Sequence, residues 1–195
     1  MHTFSSPFVS IAALQQKLAA HTDAALLTPI DGGWSVLQHL YHCWLVERGV
    51  LAYIKLKTQD PDALEQVRLL TRLRFFFFFT SLKLGLLKVN APKVVQAFPE
   101  NMNRQDLFER LAKTREEADL FFTDFPEATA RKGIFKHMFI GRLNKALSQK
   151  FIKLHLTHHL KLCVVRLPYV VKFYLLVVSR KRYWQPSAPT SRRLF

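Results

Sequence analysis

Apolar residues recur at helical spacing along most of the chain, and Gly, Pro, Asn and Asp cluster between the periodic stretches. The pattern predicts helices at 8–27, 35–57, 62–83, 103–124 and 147–166. It predicts a turn at 31–33 and loops at 88–102 and 125–144. No segment alternates in the manner of a strand hairpin. The expected fold class is therefore all-α.

The number and length of these helices favour an antiparallel bundle around one core. The expected architecture is a four-helix bundle with an extra helical segment, 62–83, between the second and third core helices. The bundle is expected to occupy residues 1–166. Residues 167–195 are rich in basic residues, and we expect them to form a partly disordered C-terminal extension.

Composition fits one domain with a real core, because the chain has 195 residues of which 49% are apolar. Its two cysteines, Cys43 and Cys163, are too few for a disulfide framework. The N-terminus lacks the basic segment of a signal peptide, so a cytoplasmic location is expected. The apolar run at 75–79 is too short to span a membrane. We expect it to be core, or a surface that another subunit covers.

Positive charge is concentrated in the last third of the chain. Residues 1–127 hold 14 Lys and Arg against 14 Asp and Glu, whereas residues 128–195 hold 15 Lys and Arg and no acid. A region of one sign attracts anions, although a solvated basic surface that only aids solubility is an equal alternative. No helix-turn-helix or zinc-finger pattern is present, so nucleic acid is not an expected partner.

The stretch FIKLHLTHHLKLC, residues 151–163, carries three of the eight histidines. At about 100° per residue, its lysines define a polar stripe, and His155 and His159 lie on the opposite face. His158 lies on the flank. Two imidazoles one helical turn apart can bind one metal ion from the same side. The alternative is a pair of core histidines, each satisfied by a hydrogen bond.

The helix predicted at 35–57 also directs imidazole inward. Both His39 and His42 lie on its apolar face, and Cys43 lies on the edge of that face. Helical angles alone do not choose between the two histidines. Three neutral imidazoles from two helices would leave a coordination position open for water or substrate.

Two segments resemble the signatures of the DinB/YfiT-like family of metalloenzymes. The first is WSVLQHLYHCWLVE at 34–47, and the second is IFKHMFIGRLNKALSQKFIKLHLTHHLKL at 134–162. The resemblance covers about residues 8–166. It implies a DinB-like four-helix bundle that holds one divalent metal on three histidines. Matched position by position, the implied ligands are His42, His155 and His159, and His137 matches a loop histidine with a structural or supporting role.

The sequence departs from the family pattern at several positions. His39 and Cys43 stand where the pattern is usually apolar, so a mixed ligand set that includes either of them is an alternative. Leu162 stands where Gln is usual after the last ligand, and Met138 replaces a usual Pro. Buried packing is the simpler reading of Cys43.

The resemblance implies a divalent-metal-dependent enzyme with a small-molecule substrate. The leading expectation is a thiol-dependent S-transferase or a related transferase or isomerase, with Zn or Ni as the metal and a low-molecular-weight thiol as cosubstrate. Hydrolysis by bound water is the other enzymatic outcome. A homodimer is an expected assembly, no membrane partner is expected, and no catalytic residue is assigned; Glu47 lies on the flank of its helix. The alternative is a non-enzymatic stress-response or binding protein, in which the metal is structural and the basic third binds an anionic partner.

Overall fold

The structure of the protein is a computed structural model that describes residues 10–87 and 89–166, except for the side chains of 164–166. The described helices are α1 (Ile11–Leu18), α2 (Asp23–Leu27), α3 (Val36–Lys57), α4 (Leu69–Lys83), α5 (Arg104–Thr123), α6 (Glu127–Ala130) and α7 (Lys145–Arg166). A 3₁₀ turn covers Lys93–Val95, and strands β1 (Phe135–His137) and β2 (Gly141–Leu143) form one antiparallel pair. The expected 167–195 extension lies outside the described residues.

The central helix of the bundle is α3, which packs against both α5 and α7, while α1 packs against α5. The extra helix α4 lies against α7 and β2. The mostly helical class and the four-helix bundle with its additional helix are therefore confirmed. Within the described residues, no helix combines the length and the apolar character needed to cross a membrane.

Local sequence explains where the two helices with inward histidines begin. The Ser35 side chain accepts a hydrogen bond from the backbone of Gln38, and the Gln38 side chain accepts one from the backbone of Ser35, so α3 starts with a capping box. Asn144 accepts from the backbone N–H of Leu147 at 3.0 Å, so α7 begins two residues before the predicted start. The end of α3 agrees with the prediction, and its first residue is Val36, one residue after the predicted start, because Ser35 is the cap.

Two predicted helices differ from the structure. The described part of the predicted helix at 8–27, residues 10–27, contains two helices, because Thr22 accepts a hydrogen bond from the Ala25 N–H and starts a new one. The predicted helix at 62–83 begins only at Leu69. Its first residues instead bond to the loop ahead of β1: the Glu65 carbonyl accepts from the Gly133 N–H at 2.8 Å, and Gln66 pairs with Lys132. Tertiary pairing overrides the helical start signal there.

The predicted loop at 125–144 contains the short helix α6 and the β1–β2 hairpin, so the expectation of no hairpin was wrong. Strands of three residues are too short to show a period of two. Gly141 has φ +101°, a backbone conformation that favours glycine, and it is the first residue of β2 after the turn. The hairpin places His137 opposite Gly141, beside the start of α7.

The phenylalanine run at 75–79 is only partly core. Phe75 is 3% exposed and packs against Phe79, whereas Phe76 and Phe77 are each 62% exposed. The helix α4 therefore has an apolar outer face as well as an apolar inner face, and the expectation of a buried run holds for the inner face alone.

Candidate metal centre

Three histidines converge between α3 and α7. His42 comes from α3, and His155 and His159 come from consecutive turns of α7. One ring nitrogen of each residue lies within 4.8 Å of one ring nitrogen of each of the others. Among the described residues these three form a group that could hold a metal ion, and they are the three that the sequence resemblance selected. Ligation itself stays a prediction.

A backbone contact fixes the proton on His42. Its Nδ1 lies 2.9 Å from the Val95 carbonyl oxygen, which can only accept, so Nδ1–H is the donor. In the neutral ring Nε2 then carries a lone pair. That Nε2 lies 3.2 Å from Nε2 of His155, across the α3–α7 interface. The free lone pair of His42 thus points at the second candidate ligand. In metal-ligating histidines, one ring nitrogen ordinarily donates to an acceptor such as a backbone carbonyl, and the other nitrogen binds the ion.

The three nitrogen donors and the spacing of one pair fit a divalent ion. Zinc binds imidazole nitrogen at about 2.0–2.1 Å in tetrahedral geometry, which separates neighbouring ligand nitrogens by about 3.3 Å. The His42–His155 separation of 3.2 Å already matches that value. Three neutral nitrogen donors are also a ligand set that zinc, nickel, copper and iron accept.

Burial keeps the candidate ligands neutral. Burial is the main reason that the pKa of His155 falls to about 3, with the neighbouring His42 and His158 adding to the effect. Burial likewise lowers the pKa of His159 far below its usual range. The pKa of His42 is also lowered by burial, with its bond to Val95 acting in the opposite direction. Because a metal ligand must be unprotonated, these shifts reduce the competition from protons near neutral pH.

A fourth histidine contacts the group from the side. His39, also on α3, has Nδ1 2.9 Å from Nδ1 of His159, and their rings are 5.2 Å apart. The two residues are 8% and 9% exposed. His39 is not a member of the converging group, so its contact with the group is made through the ring of His159.

Aromatic rings enclose the site. The indole of Trp34 lies 5.1 Å from the His42 ring, 5.4 Å from the His39 ring and 6.3 Å from the His159 ring, nearly parallel to the last. On the other side Phe151 stacks on His155, with ring centres 5.5 Å apart. These walls are apolar, so a ligand at the site would find few competing waters.

Among the described residues, His137 and His158 are not members of the group. Burial, together with Lys161, lowers the pKa of His158. His137 accepts a hydrogen bond from the Phe139 N–H and packs on Phe151, which also stacks on His155. Burial lowers the pKa of His137 to about 4. His137 and His155 therefore share a contact with Phe151, and the supporting role of His137 stays a prediction.

Cys43 and Glu47 are not members of the histidine group. Cys43 is fully buried, and burial, reinforced by the Glu47 carboxylate, raises the pKa of its thiol well above the usual value. Glu47 forms a two-bond ion pair with Arg115 of α5, with both N–O distances 2.9 Å and both side chains nearly inaccessible. It is therefore a structural anion, and sequence alone did not identify its partner.

These features define a helical bundle with a candidate three-histidine metal centre, and the sequence comparison agrees. The model of the DinB superfamily matches residues 10–163, so the chain belongs to the DinB superfamily. No curated protein matches the sequence.

Comparison with solved structures shows a protein with the same fold. The chain is similar to YfiT from Bacillus subtilis, described as a probable metal-dependent hydrolase with an unusual four-helix bundle topology. The match covers 90% of this chain and 82% of YfiT with a TM-score of 0.56 and 15% sequence identity. At this identity the likeness concerns the fold.

Proposed function

We propose that the protein is a divalent-metal-dependent enzyme in which His42, His155 and His159 hold the ion. The observation that carries the proposal is the convergence of three imidazoles from two helices, with the Nε2 atoms of His42 and His155 already 3.2 Å apart. Membership of the DinB superfamily and the description of YfiT support it.

The composition of the site favours an anionic fourth ligand. The converging group contains no carboxylate, so a bound dication would keep its full charge. Such an ion would lower the pKa of a thiol or a water molecule at the open position and supply a nucleophile near neutral pH. The protein's own residues hold the donors neutral, orient them and exclude bulk water through Trp34 and Phe151.

Within this proposal the nucleophile is a low-molecular-weight thiol, and the reaction is the transfer or rearrangement of a group on a small substrate. The carboxylate closest along α3, Glu47, is committed to Arg115 and is not available as a general base. A thiol that ionises at the site needs no such base. The same site with water in place of thiol would perform hydrolysis, the activity ascribed to YfiT.

The test is a titration of cobalt-substituted protein with glutathione-like thiols, followed by the sulfur-to-cobalt charge-transfer band. The appearance of the band with release of protons supports a thiol-dependent enzyme. A response to small anions but not to thiols would overturn the thiol assignment and favour hydrolysis. A spectrum indifferent to thiols and anions alike would contradict an open site and make the metal structural.

A further inference from the structure

The contact between His39 and His159 constrains the proton on both rings. Their Nδ1 atoms are 2.9 Å apart, a hydrogen-bond distance. Two bare nitrogens at this distance would repel, and two N–H groups would clash. One proton therefore lies between them, carried by one ring and accepted by the other.

If His159 is a metal ligand, the position of its ring decides which of the two rings carries that proton. Its Nδ1 is engaged by His39, so Nε2 is the nitrogen left for an ion. A neutral imidazole has a lone pair on only one ring nitrogen. For Nε2 of His159 to be the ligand, Nδ1 must hold the proton and donate it to His39.

We propose that His39 is a positioning residue that accepts the Nδ1–H of His159 and thereby holds His159 in the tautomer that presents Nε2 to the metal. The inference rests on the proposed function, because it assigns His39 a role toward the metal proposed there. It makes His39 the counterpart of the Val95 carbonyl, which accepts the Nδ1–H of His42 on the other side of the site.

The surroundings make this hydrogen bond hard to replace. Both rings are at most 9% exposed, and Trp34 lies against both of them. Water has little access, so removing the acceptor would leave the Nδ1–H of His159 buried without a partner or release the ring to the other tautomer. Partners of this kind commonly change metal affinity by about 10–100-fold.

The experiment compares two substitutions of His39. His39→Asn keeps an acceptor, because the amide oxygen occupies about the place of Nδ1, whereas His39→Leu removes it at similar size. His158→Leu is the matched control, since His158 is the neighbouring histidine on the flank. Zinc affinity is measured by chelator competition, and ring tautomers are read from long-range nitrogen–proton NMR correlations.

The expected result is about a 10–100-fold loss of zinc affinity in His39→Leu, with His39→Asn and His158→Leu close to wild type. The metal-free wild-type protein should show His159 protonated on Nδ1. Unchanged affinity in His39→Leu would overturn the inference while leaving the proposed function intact. Equal losses in both His39 variants would also overturn it, since that outcome indicates a direct ligand or a packing role.

Two further outcomes separate this inference from the proposed function. Failure of the wild-type protein to bind metal would contradict the proposed function and with it the role of His39 toward the ion. If His39→Leu does not fold, the tautomer of His159 in the wild type and in His39→Asn decides. A proton on Nε2 of His159 in the wild type would overturn the inference.

Discussion

Nε2 of His42 and Nε2 of His155 face each other at 3.2 Å although the residues are 113 positions apart in the chain. In the metal-free protein one of these nitrogens must donate to the other, and the Val95 carbonyl already assigns the lone pair to His42. His155 is then the donor. An ion held by Nε2 of His155 would require this proton to move to Nδ1, a change of tautomer that releases no net proton from the neutral ring.

Alanine substitutions should separate the candidate ligands from their neighbour. We expect His42→Ala, His155→Ala and His159→Ala each to reduce bound metal from about one ion per chain to near zero, because two imidazoles alone hold a divalent ion weakly. His158→Ala is the control and should keep its metal, since His158 lies outside the converging group. The measurement is elemental analysis of protein purified without a histidine tag. Loss of metal in His158→Ala, with retention in His155→Ala, would contradict the assignment.

The stability of the metal-free protein should fall as the pH is lowered from about 7 toward 4. The pKa of His155 is about 3 in the folded state against 6.5 in the unfolded chain, so the unfolded state binds more protons in this window. Each such histidine contributes a slope of up to about 1.4 kcal/mol per pH unit, with stability rising as pH rises. Urea denaturation at several pH values measures it.

His155→Asn supplies the control for that pH dependence. Asn does not titrate, so the slope should decrease by up to about 1.4 kcal/mol per pH unit relative to the wild type. An identical slope in the variant would show that His155 is not buried in its neutral form.

The Glu47–Arg115 pair should behave as a structural link between α3 and α5. Both side chains are 5% exposed or less, so Arg115→Ala leaves a buried carboxylate unpaired and should cost about 3–5 kcal/mol. The double variant Glu47→Leu/Arg115→Met should recover much of this loss, because neither charge is then buried alone. Denaturant unfolding measures both. If the double variant is as unstable as the single one, the penalty arises from packing and not from the unpaired charge.

Sequence predicted the helices whose boundaries are set by local signals. The Ser35 capping box and the Asn103 cap, which accepts from the Asp106 N–H at 3.0 Å, are local hydrogen bonds that short motifs reveal. The start of α4 and the β1–β2 hairpin depend on contacts between distant segments, such as Glu65 with Gly133. Single-sequence periodicity contains no information about those contacts.

The sequence predicted which three histidines converge, but it did not predict which groups contact them. Helical angles placed His155 and His159 on one face, and the resemblance chose His42 over His39; the structure brings these three together. The acceptor for His42 is the carbonyl of Val95, which belongs to a stretch that the sequence marks only as a loop. The role of His39 beside His159 depends on a contact across 120 positions, and no spacing within α3 reveals it.

X-ray absorption spectroscopy of the metal-loaded wild-type protein at the metal edge tests most directly whether His42, His155 and His159 hold an ion with an open position. We expect a single ion per chain with three imidazole ligands at about 2.0–2.1 Å and one light-atom ligand that an added thiol replaces with sulfur. His42→Ala should lose the signal. A protein that binds no ion, or one whose ion has four protein ligands and does not change with thiol or anions, would contradict an open three-histidine metal site.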